Sequence, residues 1–221
     1  MILAFLLPFL AVFLGAGIAY YFKPKTPKGM KLILAFSGAF LLSILLLEML
    51  PQVYVEGDKI TGLWILGGIL FQILLEFLSK GAEHGHTHHH KQYFPWLILF
   101  SLCIHAFLEG MPLSQQPALL WGVSVHKIPI GLVVSVLLFR VDVSLSYKLL
   151  ALTFFAFMSP LGSYFSLSLD TLLVQKMIEP FVVGILFHIS TTILFESSEG
   201  HNFNLQKFLS ILLGISLAAI F

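Results

Sequence analysis

Eight apolar stretches divide the chain, most of them roughly 20 residues long, the length a helix needs to cross the hydrocarbon layer of a bilayer. They fall at about Ile2–Phe22, Leu32–Leu50, Leu63–Leu78, Phe94–Met111, Ala118–Phe139, Leu149–Leu167, Pro180–Phe195 and Leu205–Phe221. Apolar residues run continuously within each stretch rather than alternating, which argues for helices and against a β-barrel. The pattern predicts an all-α polytopic membrane protein, an eight-span helical bundle forming a single domain over residues 1–221. No Lys or Arg precedes the first stretch, so it lacks the basic start of a signal peptide and is expected to remain as a span. The last stretch is short and is expected to stand nearly upright or to thin the bilayer locally.

Composition agrees with the pattern. The chain is 58% hydrophobic and 10% charged, where a soluble domain carries about 25% charged residues. The net charge of +1 and the absence of a basic run give no reason to expect a nucleic-acid partner; the partner these runs imply is the lipid bilayer. An even number of spans places both termini on one side. Lys23, Lys25, Lys28, Lys31, Lys80, Lys91, Arg140, Lys148 and Lys207 fall in the odd-numbered connections, against Lys59 and Lys176 in the others. Cytoplasmic loops carry the basic excess, so the odd connections are expected in the cytoplasm and both termini outside it. The single cysteine, Cys103, lies mid-span, which excludes a disulfide framework and a cysteine-based zinc knuckle.

Ionisable groups inside a spanning helix cost about 3 kcal/mol each and normally face a partner, a cavity or an ion. The fourth stretch carries His105 and Glu109, four residues apart and so on one helix face. The fifth carries His126 and Lys127. Two imidazoles and a carboxylate suit Zn²⁺ and would also accept Fe²⁺ or Mn²⁺. Pro129 and Pro160 each lack the N–H that would bond the carbonyl four residues earlier, and Gly110, Gly131 and Gly162 allow close helix approach. Polar side chains, prolines and small residues thus converge on spans four, five and six. The alternative is that His105 and Glu109 only hydrogen-bond between helices.

Other polar positions are weaker candidates. His188 in span seven suits an inter-helix hydrogen bond better than a pathway ligand. Glu48 and Glu76 lie near span ends, and Glu196, Glu199 and His201 form a polar cluster before the last span. Between spans three and four lies a loop at about 80–93 with His84, His86, His88, His89 and His90. Five imidazoles so close together can chelate metal without a fold, as a cytoplasmic buffer or sensor. There is no H-E-x-x-H, no G-x-S-x-G and no phosphate-binding loop, so no enzyme is expected and no organic cofactor.

His105-Ala-Phe-Leu-Glu-Gly110 and His126-Lys-Ile-Pro-Ile-Gly131, on consecutive spans, resemble the paired signatures of the ZIP family of divalent-metal transporters, roughly H-N-x-x-[DE]-G and [HQ]-[DE]-I-P-[EH]-[GE]. The eight spans, the His-rich loop, Glu48-Met-Leu-Pro51 and Ser159-Pro-Leu-Gly162 are similar too. The resemblance assigns His105, Glu109 and His126 to the primary metal site. Ala106, Lys127 and Ile130 depart from the pattern, and Ser159 stands where some members place Glu, so one ion is implied rather than two. Lys127 would then supply the charge of the second cation, or pair with Glu109, or extend outward along the helix.

What the resemblance implies is a transporter of zinc or another divalent ion, carried as substrate across the plasma (inner) membrane into the cytoplasm. Spans one, four, five and six would move against spans two, three, seven and eight, within a homodimer. Protons compete with metal for imidazole nitrogens, so binding should weaken in acid. The alternative function is a non-transporting metal sensor or partner subunit, supported by Lys127 and Ile130. A metalloenzyme using the same His/Glu site would need a substrate-sized cavity and an open coordination position.

Overall fold

The computed structural model describes residues 2–22, 27–54, 58–79, 96–196 and 205–220. Helix accounts for all the regular structure among them. In chain order these are α1 (Ile2–Phe22); α2 (Pro27–Ile44, continued by a π turn Leu45–Met49 and a last turn Leu50–Val53); α3 (Lys59–Ser79); α4 (Trp96–Gly110, closed by a 3-10 turn Met111–Ser114); α5 (Pro117–Phe139); α6 (Leu145–Ser166); α7 (Glu179–Glu196, entered through Thr171–Leu173 and a π turn Val174–Ile178); and α8 (Leu205–Ala218). Seven of these rods are long and apolar enough to cross a membrane; α8 has 14 residues, about 21 Å at 1.5 Å per residue.

The helix starts differ from the expected ones for local reasons. Asp170 caps the rod that leads into α7, its Oδ1 accepting from Leu172 N at 2.7 Å and Leu173 N at 3.4 Å. Pro180, which the pattern makes the first residue of span seven, therefore lies inside a longer rod. Proline offers no N–H to the preceding turn, and just before it Glu179 N bonds Val174 O, five residues back. The same device precedes Pro51, where Leu50 N bonds Leu45 O. Ser144 likewise starts α6 at Leu145, four residues before the expected Leu149. Asp58 starts α3: its Oδ1 accepts from Thr61 N at 2.8 Å and Thr61 Oγ1 at 2.9 Å. The Thr61 backbone N–H holds the Asp58 carboxyl below its ordinary range. A carboxylate stabilised in the fold loses that contribution as pH falls through its lowered value, so this cap is present at neutral pH and weakens only in strong acid.

The helices sort into two groups of four. In the first, α1 packs on α5 and α6, and α4 on α6; in the second, α3 packs on α7, and α2 on α7 and α8; the groups meet where α2 packs on α5 and α3 on α4. One apolar cluster, with Val12, Leu102, Ala106, Ile130 and Phe155, draws only on α1, α4, α5 and α6. Another, with Leu41, Leu45, Leu119, Val123 and Leu186, fills the seam where α2 and α7 meet α5. Polar side chains lie inside while large apolar ones such as Leu70 and Phe77 face outward, as expected where the solvent is lipid.

Reciprocal glycines bring backbones together within each group. Gly15 sits on the backbone of Ile128 and Leu132 while Gly131 sits on that of Val12, joining α1 to α5. Gly110 lies on Ser159 and Gly162 on Phe107, joining α4 to α6; Gly68 lies on Phe181 and Gly184 on Ile65, joining α3 to α7. Across the seam Gly122 meets side chains, Leu41 and Ile44. Gly131→Leu is therefore expected to cost about 3 kcal/mol, the upper end for overpacking, because backbone rather than a side-chain tip must yield. A Cβ at Gly17 meets nothing within 4 Å, so Gly17→Ala should not destabilise the protein. Unfolding in mixed micelles checks both; equal stability of the two variants would refute the close-packed α1–α5 contact.

Candidate metal site

On α4, His105 and Glu109 are one turn apart, and His105 Nε2 stands 3.1 Å from Glu109 Oε2. α5 brings His126 to the same pocket, its ring 6.4 Å from that of His105 between centroids and turned by 89°. One ligand atom from each of His105, Glu109 and His126 lies within 4.8 Å of the others. Donors on a tetrahedral zinc ion stand about 3.4 Å apart, given bonds of about 2.1 Å. A closure of little more than 1 Å by side-chain rotation would thus complete three ligands. His105 and His126 are 1% exposed and Glu109 is fully buried. His105 Nδ1 makes no hydrogen bond among the described residues, and His105 Nε2 and Glu109 Oε2 meet each other without hydrogen-bond geometry. Leaving such buried groups unsatisfied costs about 1–3 kcal/mol each. A cation drawing on the same atoms would remove that cost, so the donor set fits a divalent metal as substrate.

Partners hold the ligands from behind. Ser37 of α2 places Oγ 3.2 Å from His126 Nδ1, which leaves Nε2 as the ligand nitrogen. Ser159 of α6 donates to Ala106 O at 2.9 Å and approaches Glu109 Oε1 at 3.4 Å. Pro129 and Pro160 lie within α5 and α6. Lys127 is 1% exposed and does not extend to the membrane surface. Its ammonium is ion-paired with Glu109 Oε1 and lies 4.7 Å from the centroid of the Phe155 ring. Glu109 is thereby divided: one oxygen faces the histidine, the other is taken by an ammonium.

The remaining candidates lie elsewhere. His188 pairs with Glu76 at 2.7 Å, joining α7 to α3, apart from the His105 cluster. Glu48 is half-buried in the π turn of α2. His84, His86, His88, His89 and His90, with Glu199, His201 and the Glu196 side chain, fall outside the described residues. Ser37 and Phe155 complete the pocket without a sequence signal, one a serine among small residues and the other one of 22 phenylalanines.

A family model described as ZIP Zinc transporter matches residues 81–221, well over half of the chain. The match takes in α4 to α8 and so includes His105, Glu109, His126 and Lys127. No curated protein matches the chain.

Proposed function

The chain belongs to the ZIP zinc transporter family, and from that premise we propose that it moves zinc, or a closely related divalent ion, across the plasma membrane into the cytoplasm through His105, Glu109 and His126. Divalent-metal transport is the family's activity, and the apolar rods make this a multi-pass membrane protein. The observation that carries the proposed site is the meeting of three buried ligands from two helices within 4.8 Å. Stripped of water, the ion would exchange hydration for two imidazoles and a carboxylate, the compensation a charge needs at membrane depth.

Transport then needs the pocket to face each side in turn. The site lies on α4 and α5, where glycine contacts hold α5 to α1 and α4 to α6 backbone to backbone, whereas Gly122 meets side chains of α2 across the seam. Movement of α1, α4, α5 and α6 as a body against α2, α3, α7 and α8 would carry the ion without dismantling its ligands. The basic residues favour odd-numbered connections in the cytoplasm, and a homodimer remains part of the proposal.

Purified protein in zinc-free vesicles tests it. Zinc added outside should enter faster than into protein-free vesicles, with saturation. A second reading, a metal sensor that does not transport, draws on the ion pair of Lys127 with Glu109, which places a fixed cation against the site. Under that reading zinc binds at equilibrium while uptake equals that of protein-free vesicles.

A further inference from the structure

Glu179 is a second buried carboxylate, outside the site described, and transport through His105, Glu109 and His126 gives it no task. It is 3% exposed and lies within the apolar rod that ends in α7. Its Oε2 accepts from Gln116 Nε2 at 3.1 Å. Its other oxygen, Oε1, is buried and accepts no hydrogen bond from the described residues. A buried carboxylate facing one neutral amide is under-compensated and has unused capacity for a cation.

The position of this bond gives the capacity a use. Gln116 opens α5, in the group that holds the metal site, while Glu179 opens α7 in the other group. Hydrogen bonds between the groups include Ser37 with His126 at the site and Ser101 Oγ to Leu75 O at 2.7 Å toward the histidine-loop end. Gln116 with Glu179 closes the seam at the opposite end. There the 3-10 turn Met111–Ser114 packs on the π turn Val174–Ile178, and Ser114 Oγ is buried without a hydrogen bond among the described residues. The polar groups at this end are thus only partly satisfied, unlike a settled core contact.

Resting on the transport reading, we infer that Glu179 and Gln116 form an outer gate opened by the arriving cation. A divalent ion taken by Oε1 draws the carboxylate from Gln116, and the two groups part on the side away from the histidine loop. The ion then passes to the deeper ligands, and the bond re-forms behind it.

Hydrogen exchange on the full-length protein in micelles tests the gate, with and without zinc. Zinc should speed exchange of the 111–116 and 174–178 amides about tenfold, the effect of removing one hydrogen bond to a charged group. Glu179→Gln keeps an acceptor for Gln116 but no charge for the ion. It should abolish this acceleration, leave exchange without zinc at the parent rate, and leave zinc binding at His105 intact. Gln116→Leu should raise exchange without zinc by a similar factor. Unchanged exchange on adding zinc, or equal acceleration in Glu179→Gln, would overturn the gate. Were vesicles to show no uptake while these segments still respond to zinc through Glu179, transport would fail and the gate would stand. Uptake dependent on His105 without that response would sink the gate alone.

Discussion

His105→Ala should reduce zinc uptake to the rate of protein-free vesicles and weaken equilibrium zinc binding by about 100-fold or more. The magnitude follows from partners one step removed from a metal, whose loss alone costs about 10–100-fold; a ligand must cost at least as much. Folding is not what fails in this variant, because Glu109 keeps its ion pair with Lys127 when the His105 ring is removed. Its removal leaves a gap beside Glu109 and His126 and takes away the 3.1 Å contact with Glu109 Oε2. Metal-free His105→Ala should therefore unfold close to the parent but gain no stability from zinc, since a ligand stabilises only the state that binds it. Ser37→Ala is the graded companion: it removes the Ser37 contact to His126 Nδ1 and should cost about 10–100-fold in affinity without abolishing uptake. Deleting the loop histidines should change uptake only modestly. Undiminished uptake by His105→Ala would remove the proposed site from the pathway.

Span number and type were legible because lipid leaves the chain few choices: every backbone group must be bonded within the rod, so apolar runs of bilayer length become helices. The positions of the ends were less legible. Proline at 180 reads as a helix start, yet Asp170 caps the rod ten residues earlier and a π turn absorbs the missing N–H. That shift hid Glu179, which the pattern leaves in a connection and the fold buries at a helix seam. At the site, a four-residue spacing is enough to place His105 under Glu109, since it depends only on helix geometry. Whether α5 turns His126 or Lys127 toward that pair depends on how α1 and α5 meet at Gly15 and Gly131, a contact between residues more than a hundred positions apart. The result is that both come to Glu109, an arrangement no spacing within α5 foretells.

Lys127→Met should tighten zinc binding while destabilising the metal-free protein. In the parent, the ammonium neutralises Glu109, and both are buried. Removing one partner of a buried pair typically costs about 3–5 kcal/mol, because a charge is left without compensation. That cost falls on the metal-free state, and zinc relieves it. Repulsion between the ammonium and the incoming ion also disappears; two unit charges 4 Å apart exchange about 4 kcal/mol at an effective dielectric constant of 20, and zinc carries two. Both changes favour the bound state, so affinity should rise at least tenfold and zinc should raise the unfolding temperature more than it does in the parent. A tighter site releases its ion more slowly, so half-saturation and the maximal uptake rate should fall together. Lys127→Glu goes further, replacing the tethered cation by a carboxylate beside Glu109; the pocket then has the charge for a second ion, and bound zinc per chain should rise from one to two. Weaker binding in Lys127→Met would mean that Lys127 helps hold the ion, and the account of its ammonium as a fixed competitor would have to be abandoned.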